Sequence, residues 1–215
     1  MKTNRTELVF VLDRSGSMAG LESDTIGGFN SMLNKQKNEP GEAVVTTVLF
    51  NDHPTLLHDR FDIHNTRPIS ANDYFVGGST ALLDAIGMTI EKIINIQRLS
   101  SEEGRADKVL FVIITDGMEN SSREYSHSMI KRMIEFEKEK YGWEFIFLGA
   151  NIDAMATAGK YGINPDRAAN YCADSRGTSV NFKVVSETVS NFRLNNHIKD
   201  NWKDKIDRDY SNRKK

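Results

Sequence analysis

A chain of 215 residues with a hydrophobic share of 39% suits one domain with a buried core, and 4 Pro with 15 Gly exclude a collagen-like or low-complexity protein. The net charge of −2 creates no overall field that would attract nucleic acid or an acidic membrane surface. The single cysteine, Cys172, excludes a disulfide within the chain, so a reducing compartment and a cytoplasmic location are expected.

The first third of the chain reads as strand, helix, strand and edge strand. A continuous apolar run over residues 7–13 ends in a carboxylate and predicts a strand buried on both faces. A Ser/Gly-rich loop leads into a helix over about 21–37, and β-branched residues predict a second strand over 43–51. Residues 54–60 are predicted as a short edge strand, because Pro54 fits only a strand start or an edge.

The middle of the chain continues the alternation. Apolar residues at helical spacing predict a helix over 80–98, and a second fully apolar strand follows over 108–115. A long amphipathic helix is predicted from about 123 to 141. A strand over 143–148 and a short helix over about 153–161 come next.

A weaker last strand over 168–173 and a helix over 178–194 complete the pattern. Strands that alternate with helices are typical of a parallel sheet with helices on both faces, so the predicted class is α/β. We predict one domain over residues 1–196.

Residues 197–215 differ from the rest, because charges dominate. Trp202, Ile206 and Tyr210 recur every four residues within them. The pattern predicts a charged tail or solvated helix. A helix that docks a partner through this stripe is the alternative.

The candidate site consists of polar residues that follow buried strands. Asp13, Ser15 and Ser17 come directly after the first strand, and Asp116 comes directly after the strand over 108–115. In doubly wound sheets the ligand crevice lies beyond the carboxyl ends of the strands, where the strand order reverses. Two carboxylates brought together there require a positive charge between them. Thr80, after two glycines, lies where a loop can reach the same crevice.

This set offers only oxygen atoms, two carboxylates and three hydroxyls. Hard oxygen ligands favour Mg²⁺, with Mn²⁺ or Ca²⁺ also possible, over zinc. Mg²⁺ takes six ligands and often keeps waters, so the site would leave a position for an incoming oxygen.

Three sequence motifs carry a resemblance to a known family. In chain order they are Asp13-x-Ser15-x-Ser17, Gly77-Gly78-x-Thr80 and Thr115-Asp116-Gly117. Together they resemble the metal-ion-dependent adhesion site (MIDAS) of von Willebrand factor type A (VWA) domains. The resemblance covers roughly residues 6–195, and residues 147–153 resemble bacterial and phage intracellular members.

The resemblance implies a Rossmann-like, doubly wound, mostly parallel sheet of about six strands, with one short antiparallel edge strand. It implies that Ser15 and Ser17 bind the metal directly, and that Thr80, Asp13 and Asp116 bind it directly or through water. It further implies a binding role rather than an enzymatic one, in which a protein partner presents an Asp or Glu to the metal.

Alternative interpretations remain open at this stage. Asp or Ser before a helix, and Thr80 as an N-cap, would explain single motifs as helix capping. Ser121-x-x-Glu124 is a capping pattern that would start the helix near residue 123. A cluster of histidines that includes His58 is a conceivable second metal site.

Two further functions compete with a binding module. An Asp after the first strand and an Asp-Gly after another also resemble Mg²⁺-dependent phosphohydrolases of haloacid-dehalogenase type, with Asp13 as nucleophile. That family places an acid two residues later, where this chain has Ser15. The third reading is a structural assembly component whose metal only stabilises the fold. Dispersed basic residues and short apolar runs predict no binding to nucleic acid or membrane, and the oligomeric state is left open.

Overall fold

One six-stranded sheet runs through the protein in the computed structural model, which describes residues 4–213. The strands are β1 (Thr6–Asp13), β2 (Ala43–Phe50), β3 (Pro54–Asp62), β4 (Lys108–Thr115), β5 (Glu144–Gly149) and β6 (Ala168–Asn170). Their order is β3-β2-β1-β4-β5-β6. All neighbours pair in parallel except β3, which runs antiparallel to β2 at the edge. The predicted fold class is confirmed.

Helices cover both faces of the sheet. They are α1 (Glu22–Lys37), α2 (Leu82–Leu99), α3 (His127–Tyr141), α4 (Ala154–Lys160), α5 (Ser175–Asn195) and α6 (Asp204–Arg213). The apolar residues of α1, α5 and α6 form one core cluster with the sheet, and those of α2, α3 and α4 form the other. None of the helices within residues 4–213 is long and apolar enough to cross a membrane.

Strand β1 shows why the central strands are apolar throughout. Successive side chains of a strand point to opposite faces. Phe10 therefore packs on the first cluster, where its ring meets Phe29 of α1 edge to face at a centroid distance of 5.4 Å. Val9 and Val11 pack on the second cluster. Because both faces are covered, no position in the middle of β1 is left for a polar side chain.

The strand order reverses between β1 and β4. From β1 the chain proceeds outward through β2 to β3, and it then crosses back to β4 on the other side of β1. Leu12 is paired with Ile114, so the two strands end side by side. This is the arrangement that the sequence analysis required for Asp13 and Asp116 to meet.

The start of α3 differs from its prediction. The helix begins at His127, and the N-cap is Ser126, whose side chain accepts a hydrogen bond from the Met129 N–H (3.3 Å). The capping box predicted for Ser121-x-x-Glu124 is therefore wrong. The residues before Ser126 stay in a loop because the Asp84 carboxylate accepts hydrogen bonds from the three successive backbone N–H groups of residues 123–125.

Residues 197–213 contain the predicted helix as α6, but the expectation that it is solvated is wrong, because it packs on the protein. Residues 214–215 of the predicted tail lie outside the described residues. Trp202 and Ile206 are 8% and 2% exposed and belong to the first core cluster. The Trp202 indole Nε1–H donates to the Asp166 carbonyl (2.7 Å), and the Lys203 ammonium donates to the Ala168 carbonyl (2.7 Å). The apolar stripe thus fits the protein's own surface beside β6 and α5, while Asp204, Lys205 and Arg208 between its members are exposed.

Trp202→Ala should lower the free energy of unfolding by about 3 kcal/mol, the order found when a large buried side chain becomes alanine. Urea denaturation measures this change. Asp200→Ala is the matched control, because Asp200 is exposed two positions earlier, and it should stay within about 0.5 kcal/mol of the parent. Equal stability of the two variants would show that the segment is a solvated tail after all.

Candidate metal centre

Asp13 is the last residue of β1 and is 1% exposed. Its Oδ1 accepts a hydrogen bond from the Ser15 N–H (2.7 Å), and its Oδ2 accepts one from the Thr115 hydroxyl (2.5 Å). Thr115 ends β4, so this second bond connects the ends of the two neighbouring strands. Both oxygens of the carboxylate are therefore held by the protein.

The loop after β1 carries the two serines. Their Oγ atoms lie 3.1 Å apart, and the Ser17 hydroxyl donates to Asp116 Oδ1 (2.5 Å). Ser15 is buried, whereas Ser17 is exposed at the surface. A chain of hydrogen bonds thus runs from the Ser15 hydroxyl through the Ser17 hydroxyl to the carboxylate of Asp116 after β4.

Thr80 approaches the same point from the loop before α2. A methyl group built on Gly117 would lie 3.1 Å from Ser17 Oγ and 3.2 Å from Thr80 Oγ1, so the two hydroxyls flank Gly117 together. Asn120 holds the backbone of Thr80 through two hydrogen bonds. The Thr80 N–H donates to Asn120 Oδ1 (2.8 Å), and the Asn120 N–H donates to the Thr80 carbonyl (3.1 Å). Helix α2 starts later, after Ala81. The reading of Thr80 as its N-cap is therefore wrong.

The three loops are also joined through their backbones. The Gly16 N–H donates to the Gly78 carbonyl (3.0 Å), and the Gly77 N–H donates to the Arg14 carbonyl (3.0 Å). Gly78 has a φ of +79°, a left-handed conformation that glycine adopts without strain. These contacts hold the hydroxyl-bearing loop of β1 against the loop that carries Thr80.

Glu119 supports the site rather than lining its rim. Its carboxylate accepts hydrogen bonds from the backbone N–H groups of Leu83 (2.9 Å), Ser121 (2.9 Å) and Ser122 (2.7 Å). It thereby ties the loop after β4 to the first turn of α2. The neighbouring Met118 is instead 73% exposed beside the site.

Sequence reasoning assigned no part to Tyr74, which lies under the site. It is 1% exposed, and its hydroxyl donates to the Asp13 carbonyl. Arg14 is held by the same loop: its guanidinium donates to the Asp73 carbonyl (3.2 Å) and stacks on the Phe75 ring at 4.4 Å. This loop has no periodic pattern, so the sequence carried no signal for either contact.

Burial sets the electrostatics of the two carboxyls. It raises the pKa of Asp13 and outweighs the lowering effect of the hydrogen bonds from Ser15 and Thr115. Burial, with the Asp13 charge as a smaller contribution, raises the pKa of Asp116 to about 6, although the Ser17 hydroxyl lowers it. The protein by itself therefore disfavours two negative charges here, which is the condition that a bound cation relieves.

The donor set fits a hard divalent cation. Asp116 Oδ2 is buried and has no hydrogen-bond partner within residues 4–213, although buried polar atoms are normally paired. Residues 4–213 contain no group of three or more His, Cys, Asp or Glu side chains arranged to hold a metal, so a metal here would need other ligands beside the carboxylates, which the hydroxyls can supply. His58 offers no second site, since it is buried, hydrogen-bonded to Thr47 (2.9 Å) and stacked on Phe29.

No protein-family model and no curated protein matches the sequence, but solved structures match the fold. The vWF domain of the type V pili tip protein Mfa5 from Porphyromonas gingivalis is 12% identical, with a TM-score of 0.59 over 91% of this chain and 98% of that one. A von Willebrand factor type A protein from Catenulispora acidiphila is also 12% identical, with a TM-score of 0.59 over 86% of this chain and 42% of that one. The chain has the VWA fold.

A third VWA-like match concerns the metal. Proximal thread matrix protein 1 from the mussel byssus, solved with a zinc-occupied MIDAS motif, is 13% identical with a TM-score of 0.56. The match covers 86% of this chain but only 46% of the mussel protein, so this chain spans about half of that protein's length. The structure brings the five predicted residues of this VWA fold to one edge of the sheet. Their role as ligands stays a prediction.

The stability of the metal-free protein should depend on Asp116 and pH. The pKa of Asp116 is about 6 in the folded protein and 3.8 ordinarily. Between pH 3.8 and about 6, the folded state therefore binds a proton on Asp116 that the unfolded state has released. The stabilisation from that proton is present at about pH 4 and lost as the pH rises through about 6. Urea denaturation in EDTA should therefore show that Asp116→Asn gains stability relative to the parent as the pH rises from about 4 to about 7.5. A difference between the two proteins that is independent of pH would contradict this.

Proposed function

We propose that this protein is a divalent-metal-dependent protein-binding module, in which a partner carboxylate completes the shell of a metal held by Asp13, Ser15, Ser17, Thr80 and Asp116. The observation that carries the proposal is the unpaired, buried Oδ2 of Asp116 beside a pair of hydroxyls. Mg²⁺ is the proposed ion, with Mn²⁺ or Ca²⁺ as substitutes, because every donor is an oxygen.

The hydrogen bonds suggest a different ligand role for each of these residues. Ser15, Ser17 and Thr80 would offer hydroxyl oxygens, and Asp116 would offer its unpaired Oδ2. Both oxygens of Asp13 already accept hydrogen bonds, so Asp13 suits contact with the metal through water. The hydroxyl ligands are neutral, so they would leave much of the metal's positive charge uncompensated. That remaining charge would favour an anionic ligand from a partner.

The rim fits a partner whose carboxylate is flanked by apolar groups. Met118 follows Gly117 in the loop after β4 and is 73% exposed. Phe75, in the loop that carries Tyr74, is 56% exposed, and the guanidinium of Arg14 holds its ring. Exposed large apolar side chains beside a polar anchor are typical of protein-binding surfaces.

The competing functions have less support. A haloacid-dehalogenase-type phosphohydrolase would need an acid at position 15, and its nucleophile would be Asp13, whose two oxygens are both occupied by hydrogen bonds. A structural assembly component with a fold-stabilising metal is compatible with the same site. A cytoplasmic location and the lack of nucleic-acid or membrane partners remain predictions from the sequence.

Ser17→Ala should weaken Mg²⁺ binding by at least about tenfold, the loss produced even by changes in the outer shell of metal sites. The parent should gain about 2.7 kcal/mol of unfolding free energy when Mg²⁺ reaches one hundred times its Kd. Thermal unfolding over a Mg²⁺ titration measures both effects. Ser23→Ala, at an exposed serine of α1, is the matched control and should behave like the parent.

Affinity capture from the native cell, with Mg²⁺ or with EDTA, tests the partner. Proteins bound by the parent and by Ser23→Ala in Mg²⁺ should be lost in EDTA and with Ser17→Ala. The mechanism is wrong if the captured proteins are the same under all conditions. Metal-dependent turnover of a generic phosphate ester that Asp13→Asn abolishes would favour the phosphohydrolase instead.

A further inference from the structure

A cleft of about 540 Å³ lies between the C-terminal ends of α2 and α3. Because β4 starts beside it, it lies at the opposite edge of the sheet from the candidate metal centre. Part of its wall is apolar: Ile94 belongs to α2, Val109 to β4, and Trp143 precedes β5. Phe136 and Tyr141 of α3 also line it and are 50% and 56% exposed.

Two polar side chains in this cleft lack partners. Glu137 is 2% exposed, and its carboxylate takes part in none of the side-chain hydrogen bonds or ion pairs within residues 4–213. Both Oε1 and Nε2 of Gln97 are buried and unpaired within the same residues. Buried polar atoms are normally paired, so the two Gln97 atoms are the exception in this cleft. Gln97 Oε1 therefore lacks a hydrogen-bond donor, and Gln97 Nε2 lacks an acceptor.

The surroundings favour a cation as that donor. The aromatic faces at the rim already attract an ammonium group, since Lys140 Nζ lies 4.9 Å from the Phe136 ring centroid and 5.2 Å from that of Tyr141. The helices α2 and α3 both end at the cleft, and helix C-terminal ends carry partial negative charge. Burial raises the pKa of Glu137 although the Lys140 charge lowers it, and a bound cation would lower it further.

Two arginines also line the cleft, but both are exposed and directed to other partners. Arg98 donates to Asn95 Oδ1 (3.2 Å), and Arg105 donates to the Ser100 carbonyl (3.3 Å). The buried end of the cleft therefore presents a carboxylate and an amide, while the positive charges stay at its mouth.

We propose that this cleft binds an organic amine with an aromatic body. Its ammonium group pairs with the Glu137 carboxylate and donates to Gln97 Oε1, and its ring packs against Trp143 and Ile94. This site is separate from the proposed metal centre, so it can be tested whether or not a metal binds there.

Calorimetric titration of the full chain in EDTA tests the site with three phenyl-bearing probes of similar size and different charge. We expect 2-phenylethylamine to bind saturably, and we expect 2-phenylethanol and 3-phenylpropionate to bind at least tenfold more weakly. Glu137→Gln keeps the shape of the side chain but removes its charge, and it should weaken binding of the amine at least tenfold. Glu139→Gln, at an exposed position of the same helix, is the matched control and should bind like the parent.

Four results would overturn the proposal: no saturable binding of the amine to the parent, equal binding of the amine and the alcohol, unchanged binding by folded Glu137→Gln, or preferred binding of 3-phenylpropionate. The last result would assign the cleft to an anion held by Arg98 and Arg105. Circular dichroism establishes that the variants are folded. If Glu137→Gln fails to fold, the comparison of amine with alcohol on the parent still decides.

Discussion

Two buried carboxylates at one edge of the sheet are the constraint on which the candidate site depends. Asp13 ends β1, Asp116 follows β4, and these strands are neighbours because the strand order reverses between them. Each carboxyl loses hydration on burial, and the charge of Asp13 makes Asp116 harder to ionise. The fold offsets part of this cost with hydrogen bonds from Ser15, Ser17 and Thr115. We propose that a bound cation offsets the part of this cost that the hydrogen bonds leave.

The loops around these carboxylates are held by contacts that reach across the sheet. Asn120 clamps Thr80, Glu119 ties the loop after β4 to the first turn of α2, and Tyr74 supports the end of β1. Such contacts fix the hydroxyls in place before any ligand arrives. A pre-arranged shell lowers the entropy lost on binding, which suits the proposed binding of a metal and a partner carboxylate.

The sequence was sufficient to predict the strands and the meeting of Asp13 with Asp116. Both follow from local patterns: apolar runs mark buried strands, and alternation with helices implies a parallel sheet whose carboxyl ends share an edge. The loop position of Thr80 after two glycines added it to this set, and the motif resemblance supported its inclusion. The VWA fold, with its antiparallel edge strand, agrees with that expectation.

Features that depend on distant contacts could not be predicted. The start of α3 was misplaced because Asp84, about forty residues earlier in the chain, holds the preceding loop out of the helix. The C-terminal segment was taken as solvated because its charges outnumber its apolar residues, yet Trp202 reaches the carbonyl of Asp166. The contact of Tyr74 with Asp13 could not be predicted for the same reason, because a loop without periodicity does not indicate which distant residues it contacts.

A crystal structure of the protein grown with Mn²⁺ would test the central claim most directly. Manganese substitutes for Mg²⁺ at oxygen sites and is located by its anomalous scattering. The account predicts one strong anomalous peak in contact with Ser15, Ser17 and Asp116 at the edge where β1 and β4 end. A well-ordered structure with no peak there, or with the only strong peak elsewhere on the protein, would contradict it.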